Sequence, residues 1–278
     1  MKNEPLRGKS RSIFDTASAF LSTALVCAKQ VFDGNLFCVA GEYLVRLLRF
    51  AALAFIWKSL AAQGADLGDM PIEKLLTYSL MASVLRQQLE IVSPATSALW
   101  EGSIVDRYTR PVSVITTLAA ETVGRWWIPV FLFYSLPLML FSPLFGINPL
   151  PQSLAAEGIF LISLFFSILI GFALDLIFAS AAIRMKNGCW AAVQIRETIS
   201  SLVSGALIPF ALFPWGIGTV LAYLPLGSVA NAPLTIYTGA AEHPGKLILL
   251  QIFWAAVLWA AALKLFHKSE ERMISYGG

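Results

Sequence analysis

The run at residues 156–182, AEGIFLISLFFSILIGFALDLIFASAA, limits this chain more than any other feature, because it is apolar on every face of a helix. Crossing the hydrocarbon of a bilayer takes ~20 mostly apolar helical residues. Inside lipid each backbone amide must be satisfied within its own segment, so a chain with several such runs reads as an all-α, polytopic membrane protein. Six stretches qualify as transmembrane helices: 43–60, 72–92, 126–145, 156–182, 190–213 and 247–266. Composition agrees, since 57% of the 278 residues belong to the set AVILMFWYC and 13% are charged, which no water-soluble core requires. The formal net charge is +3, and the cations cluster at the ends of apolar runs. Headgroups and cytosol are therefore the expected surroundings, and nucleic acid is not an expected partner.

Orientation follows from lysine and arginine, which concentrate in short cytosolic loops. With the N-terminus in the cytosol, the inner side holds Lys2, Arg7, Lys9, Arg11, Arg107, Arg110, Arg125, Arg184, Lys186, Lys268 and Arg272. The outer segments 61–71, 142–155 and 214–246 then hold only Lys246. Both termini are expected in the cytosol, the protein in the cytoplasmic (inner) membrane, and the number of crossings even. Trp57, Trp126, Trp127 and Trp190 fall near span ends, where their rings suit the headgroup layer. Residues 1–34 read as a cytosolic tail and an interfacial helix, with Ile13, Ala17, Phe20, Leu21, Ala24, Ala28 and Val31 at helical spacing among polar residues. Residues 35–278 read as one transmembrane domain. Cys27, Cys38 and Cys189 are scattered, without CxxC spacing, and are expected to be small buried side chains and not a disulfide or metal site.

The outer segments differ among themselves. Residues 61–71 and 142–155 are short and rich in Gly, Asp and Pro, as simple turns are. In 208–225, IPFALFPWGIGTVLAYLP, Pro209, Pro214, Gly216 and Pro225 divide an apolar stretch into pieces too short to span. Such pieces are expected to be re-entrant helices before the last span. Irregular backbone at that depth must be buried in protein or face a water-filled cavity, so this region is expected to cap an internal pathway.

Between the second and third spans the chain keeps a charged, turn-containing segment, LWEGSIVDRYTRPVS, at 99–113. Gly102 allows a bend, and Pro111 suits the first turn of a helix, so a helix is expected over 112–123. Trp100 and Ile104 are expected to offer an apolar face, with Glu101, Asp106, Arg107 and Arg110 as its polar rim. The residues alone also permit a solvated loop whose arginines obey only the charge rule.

The stretch GSIVDRYTRP, from Gly102 to Pro111, matches the pattern G-x-hydrophobic-x-x-x-Leu-x-(Arg/Lys)-Pro with Tyr108 in the leucine position. Together with 208–239 and the tail HKSEERMISYGG, it makes the chain resemble the type-2 ABC exporter permeases over essentially its whole length. The resemblance implies that a coupling segment at about 97–123 docks a separate ABC ATPase and that a second permease, identical or homologous, completes the pathway. It implies export. It also implies that ATP and magnesium sit on the ATPase, with no cofactor or metal bound by this chain, and that substrate meets the second and fifth spans near 76–83 and 200–207.

Ionisable groups at membrane depth are functional candidates with a partner to be named. Arg86 and Glu90 are four apart and share a helix face. Asp175 is the most isolated charge, and Arg196 and Glu197 lie near the inner end of the fifth span. Either these groups line a substrate path, or Asp175 pairs with Arg86 or Arg196 and fixes helix packing. Arg46 and Arg49 are expected to snorkel to the inner interface. No GxxxxGK[ST] loop is present, since RGKS at 7–10 lacks the first glycine. An ATPase would therefore be another polypeptide. The two histidines, His243 and His267, are predicted on opposite membrane faces. No HExxH or intramembrane-protease motif occurs, and no catalytic residue is expected. A secondary transporter also fits six spans with an intramembrane Asp and broken helices, although no internal repeat is visible. A non-catalytic membrane subunit of a complex fits as well.

Overall fold

One long apolar helix, from Leu154 to Ala182, makes more contacts with the rest of the protein than any other element. The computed structural model describes residues 13–32, 36–64, 70–110, 112–182 and 189–277, and no strand occurs among them. In chain order the helices are α1 (Ile13–Phe32), α2 (Leu36–Ala62), α3 (Ile72–Val84), α4 (Arg86–Leu89), α5 (Ala95–Glu101) and α6 (Val105–Tyr108). Then come α7 (Val114–Phe145), α8 (Leu154–Ala182), α9 (Cys189–Val203), α10 (Ile217–Tyr223), α11 (Pro225–Val229), α12 (Asn231–Tyr237) and α13 (Pro244–Gly277).

Among the described residues, three helices are long and apolar enough to cross a membrane: α7, α8, and α13 over Pro244–Ser269. The other three expected crossings differ from single apolar helices, each for a local reason. Helix α2 is long, but Glu42, Arg46 and Arg49 occupy its first half. The 72–92 stretch stops at Val84, resumes as α4 and becomes irregular at 91–93, because it runs into the polar sequence around Arg86 and Glu90. The 190–213 stretch stops at Val203 and continues as irregular backbone, with Gly205 at φ +82° and Pro209 unable to donate an amide. That backbone is satisfied by distant partners. The Tyr78 hydroxyl donates to the Gly205 carbonyl at 2.8 Å, and the Asn231 amide donates to the Ser204 carbonyl at 3.0 Å. Tyr78 is fully buried. Replacing it by Phe leaves a buried carbonyl without its donor, and the expected result is a loss of about 1–3 kcal/mol, read as a lower unfolding temperature in detergent.

Helix α7 starts at Val114, because the Ser113 hydroxyl accepts from the Thr116 amide at 3.1 Å and caps it. The start is two residues later than position 112. Pro111 itself lies outside the described residues. Two π turns, Val123–Trp127 and Phe131–Ser135, flank Pro129 in α7. Proline lacks an amide and crowds the carbonyl four residues back, and widening the helix relieves both.

Beyond 208 the chain makes single 3-10 turns at Phe210–Leu212 and Pro214–Gly216, then α10. Pro209 is buried at the entrance to the first turn, Pro214 opens the second, and Gly216 closes it at φ +71°. Pro225 begins α11 after a bend of 74° between Pro214–Tyr223 and Pro225–Tyr237. A Cβ at Gly227 would lie 2.1 Å from the Leu221 carbonyl oxygen, so the bend closes only over glycine.

Two apolar clusters form on either side of the middle of α8. One gathers Leu75, Tyr78, Leu80, Tyr134, Phe160 and Leu234. The other gathers Leu99, Ile104, Leu118, Leu176 and Phe266, which places α5, α6 and the start of α7 beside the C-terminal halves of α8 and α13. Between α8, α11 and α13, Gln251 accepts from Ser163 at 2.9 Å and donates to the Ser228 carbonyl at 2.8 Å, a polar bond between apolar helices. Helix α1 lays Ala24, Cys27 and Ala28 on α7 at Gly124 and turns Phe14, Leu21 and Leu25 outward. Cys27 is buried; the side chains of Cys38 and Cys189 lie outside the described ones. His243 precedes α13 and His267 lies near its far end.

Candidate functional site

The charged segment folds as two short helices with a reversal between them. Helix α5 ends at Gly102, whose φ of +75° is left-handed backbone that side-chain-bearing residues adopt only at a cost. The Ile104 amide then donates to the Ala98 carbonyl at 3.1 Å. This reversal turns Ile104 inward, where it is 2% exposed against Leu99 and Leu118. Ile104 therefore anchors the turn, in contrast to the outward apolar face expected of it. The exposed apolar side chains are Trp100, Val105 and Tyr108, with Glu101, Asp106 and Arg110 exposed among them.

Arg107 is also inside, and so is not part of a rim. Its guanidinium donates to one carboxylate oxygen of Glu121 at 2.7 Å and to the Ser103 carbonyl at 3.1 Å. Arg110 reaches the other Glu121 oxygen at 3.3 Å. Glu121 sits on α7 with its side chain 5% exposed, so one buried carboxylate staples the turn to the helix that follows it. No motif marks Glu121. The usable signal is a lone carboxylate in an otherwise uncharged helix start, 14 residues past Arg107.

A second charged node lies where α8, α9 and the 91–93 segment meet. Arg196 donates to Asp175 at 2.7 Å, and its other terminal nitrogen donates to the Ile91 carbonyl. The second Asp175 oxygen accepts from the Ser93 hydroxyl and the Ser93 amide. Both charged side chains are buried. Burying a charge is costly unless it is paired and hydrogen-bonded, and here three segments supply the bonds. Of the two arginines available to Asp175, Arg196 holds it; Arg86 pairs with Glu90 at 3.0 Å. Because 91–93 leads directly into α5, the node ties the charged turn to α9.

Beside this node a cavity of about 560 Å³ is walled by Arg46, Arg49, Arg86, Gln194, Arg196 and Glu197. A second cavity of about 450 Å³ adjoins it, lined by Phe50, Leu53, Ile56, Tyr134 and Leu207. The two share Arg46, Arg49, Arg86, Glu90 and Ser201 and form one cleft between α2, α3–α4 and α9.

The family model for ABC-2 family transporter proteins matches residues 47–277, which contain the charged turn, Glu121, the buried node and most of the cleft. The chain belongs to the ABC-2 transporter family. No curated protein and no solved structure matches it significantly. Membrane subunits of the ABC-2 family generally work with an ATPase partner. The site combines an exposed apolar patch on a turn, a buried carboxylate that holds the turn to α7, and a buried ion pair that holds the segment leading into the turn to α9.

Proposed function

We propose that this ABC-2 subunit is the permease half of an exporting ABC transporter of the cytoplasmic membrane. It crosses six times, through α2, α3–α4, α7, α8, α9 with its irregular continuation, and α13, and both termini face the cytosol. The 214–237 region dips into the outer leaflet and returns. The turn from Trp100 to Pro111 docks a separate ATPase that carries ATP and magnesium, and a second permease completes the pathway.

The observation that supports this reading best is the stapled turn. A segment that receives force must be stiff inward and adhesive outward. Glu121 supplies the first property through Arg107 and Arg110, and Trp100, Val105 and Tyr108 supply the second. Aromatic side chains in a polar rim are the usual anatomy of a protein contact. In the proposed cycle ATP closes the ATPase pair and the turn moves with it. Glu121 passes the displacement to α7, and the Arg196 node passes it to α9.

The test is the double variant Trp100→Ala, Tyr108→Ala, affinity-purified from its native host alongside the parent, with the ABC ATPase that accompanies each one quantified. At least about tenfold less ATPase is expected to co-purify, and export is expected to fall with it, while the permease remains inserted and monodisperse. Unchanged ATPase retention together with unchanged transport would remove the assignment.

A further inference from the structure

The cleft is graded in the same sense along three of the elements that border it. On α2, Glu42, Arg46 and Arg49 precede Phe50, Leu53 and Ile56. On α3–α4, Ser79 and Ala82 precede Arg86 and Glu90, consistent with the opposite chain direction. On α9 and its continuation, Gln194, Arg196 and Glu197 precede Ala206 and Leu207. The charged lobe of about 560 Å³ and the apolar lobe of about 450 Å³ are thus stacked along the helices, and each is within the size range of small-ligand sites.

Most of the charge in the polar lobe is already answered. Arg46 pairs with Glu42 at 2.5 Å, Arg86 with Glu90 at 3.0 Å, and Arg196 with Asp175 at 2.7 Å. Arg49 and Glu197 remain, one of each sign, both exposed to the cleft and neither in an ion pair among the described residues.

We infer that the cleft binds an amphiphile whose head carries both an anionic and a cationic group, of the phosphate-and-ammonium class, with its tail in the apolar lobe. The anion meets Arg49 and the cation meets Glu197, while the tail lies along Phe50, Leu53 and Ile56. A purely anionic head would face Glu197 unfavourably, and an uncharged head would give neither side chain a counter-charge, so its hydrogen bonds to them would be weaker. The inference rests on the permease reading only in making this amphiphile the cargo.

The experiment uses the full chain in nonionic micelles and two single-chain probes with the same tail, one with a phosphoethanolamine head and one with a phosphoglycerol head. The tail carries a photoreactive group. Arg49→Gln is expected to weaken both probes about tenfold, whereas Glu197→Gln weakens only the phosphoethanolamine probe, also about tenfold. Crosslinks are expected on α2 between Phe50 and Ile56 or at Leu207, and free phosphoethanolamine without a tail is expected not to compete. Both variants alter exposed, unpaired side chains, so folding should be retained, and Arg49→Lys should restore most of the affinity. Equal behaviour of the two probes in Glu197→Gln, competition by the tail-less head, or crosslinks outside the cleft would overturn the inference. In nanodiscs, competition by two-chain phosphatidylethanolamine identifies bilayer lipid as the source, and its absence identifies a free amphiphile; both support the assignment of head and tail. Binding is measured without the ATPase. Its failure alongside an intact ATPase complex that depends on Trp100 and Tyr108 refutes this inference alone, and loss of that complex alongside intact binding refutes the permease reading alone.

Discussion

Asp175→Ala is expected to cost about 3–5 kcal/mol, the largest effect of any single substitution outside the apolar clusters. The carboxylate is fully buried, and its removal leaves the Arg196 guanidinium, itself 8% exposed, without its counter-charge. Arg196→Ala should be damaging for the converse reason, and it would also leave the Ile91 carbonyl without its donor. The double variant Asp175→Asn, Arg196→Met should recover much of the loss, because it removes both charges together and keeps most of the volume. Thermal unfolding of the parent, Asp175→Asn, Arg196→Met and the double variant in one detergent gives the coupling term directly. A single Ala variant as stable as the parent would mean that the pair does not hold α8 to α9. Because Ser93 also binds Asp175, the same variants should loosen the segment that feeds the charged turn.

The second large effect is expected at Glu121. Glu121→Ala strands Arg107, whose side chain is 11% exposed, and should cost about 3 kcal/mol. Arg110→Ala should cost less than about 1 kcal/mol, since that side chain is 47% exposed and water already solvates it. The two variants therefore separate staple from rim. Hydrogen–deuterium exchange over 102–110 should rise sharply in Glu121→Ala and stay near the parent in Arg110→Ala. On the proposed function, ATPase retention should fall in parallel with that loosening. Fast exchange with full retention would show that the turn docks without being held stiff.

What the sequence made legible was whatever depends on a single segment. Apolar length marks α7, α8 and α13, and the spacing of Arg86 and Glu90 marks their pair, because both are properties of one helix. Contacts between segments are a different matter. The irregular backbone at Gly205 is stable only because Tyr78 and Asn231, from two other elements, answer its carbonyls. Glu121 and the arginines it binds belong to separate helices. Ile104 reads as surface until the left-handed residue at Gly102 rotates it inward. Arg49 and Glu197 acquire meaning only when α2 and α9 face the same cleft. Charge and motif order mark 99–113 as a distinct charged segment, but which of its residues point out is decided by tertiary packing.

The pair of π turns in α7 has a mechanical consequence. Each holds one residue more than an α turn needs, so the helix stores spare register on both sides of Pro129. Rewinding one of them as α-helix would twist everything beyond it by about 100° and displace it by ~1.5 Å, at the cost of the relief that the wide turn gives the proline after it. Glu121 lies before both turns, and Tyr134, whose hydroxyl rests 2.6 Å from Ser83 at the cleft wall, lies within the second. A push received at one end of α7 would thus arrive at the other as screw motion, and a rigid rod between the two points would have no such gearing.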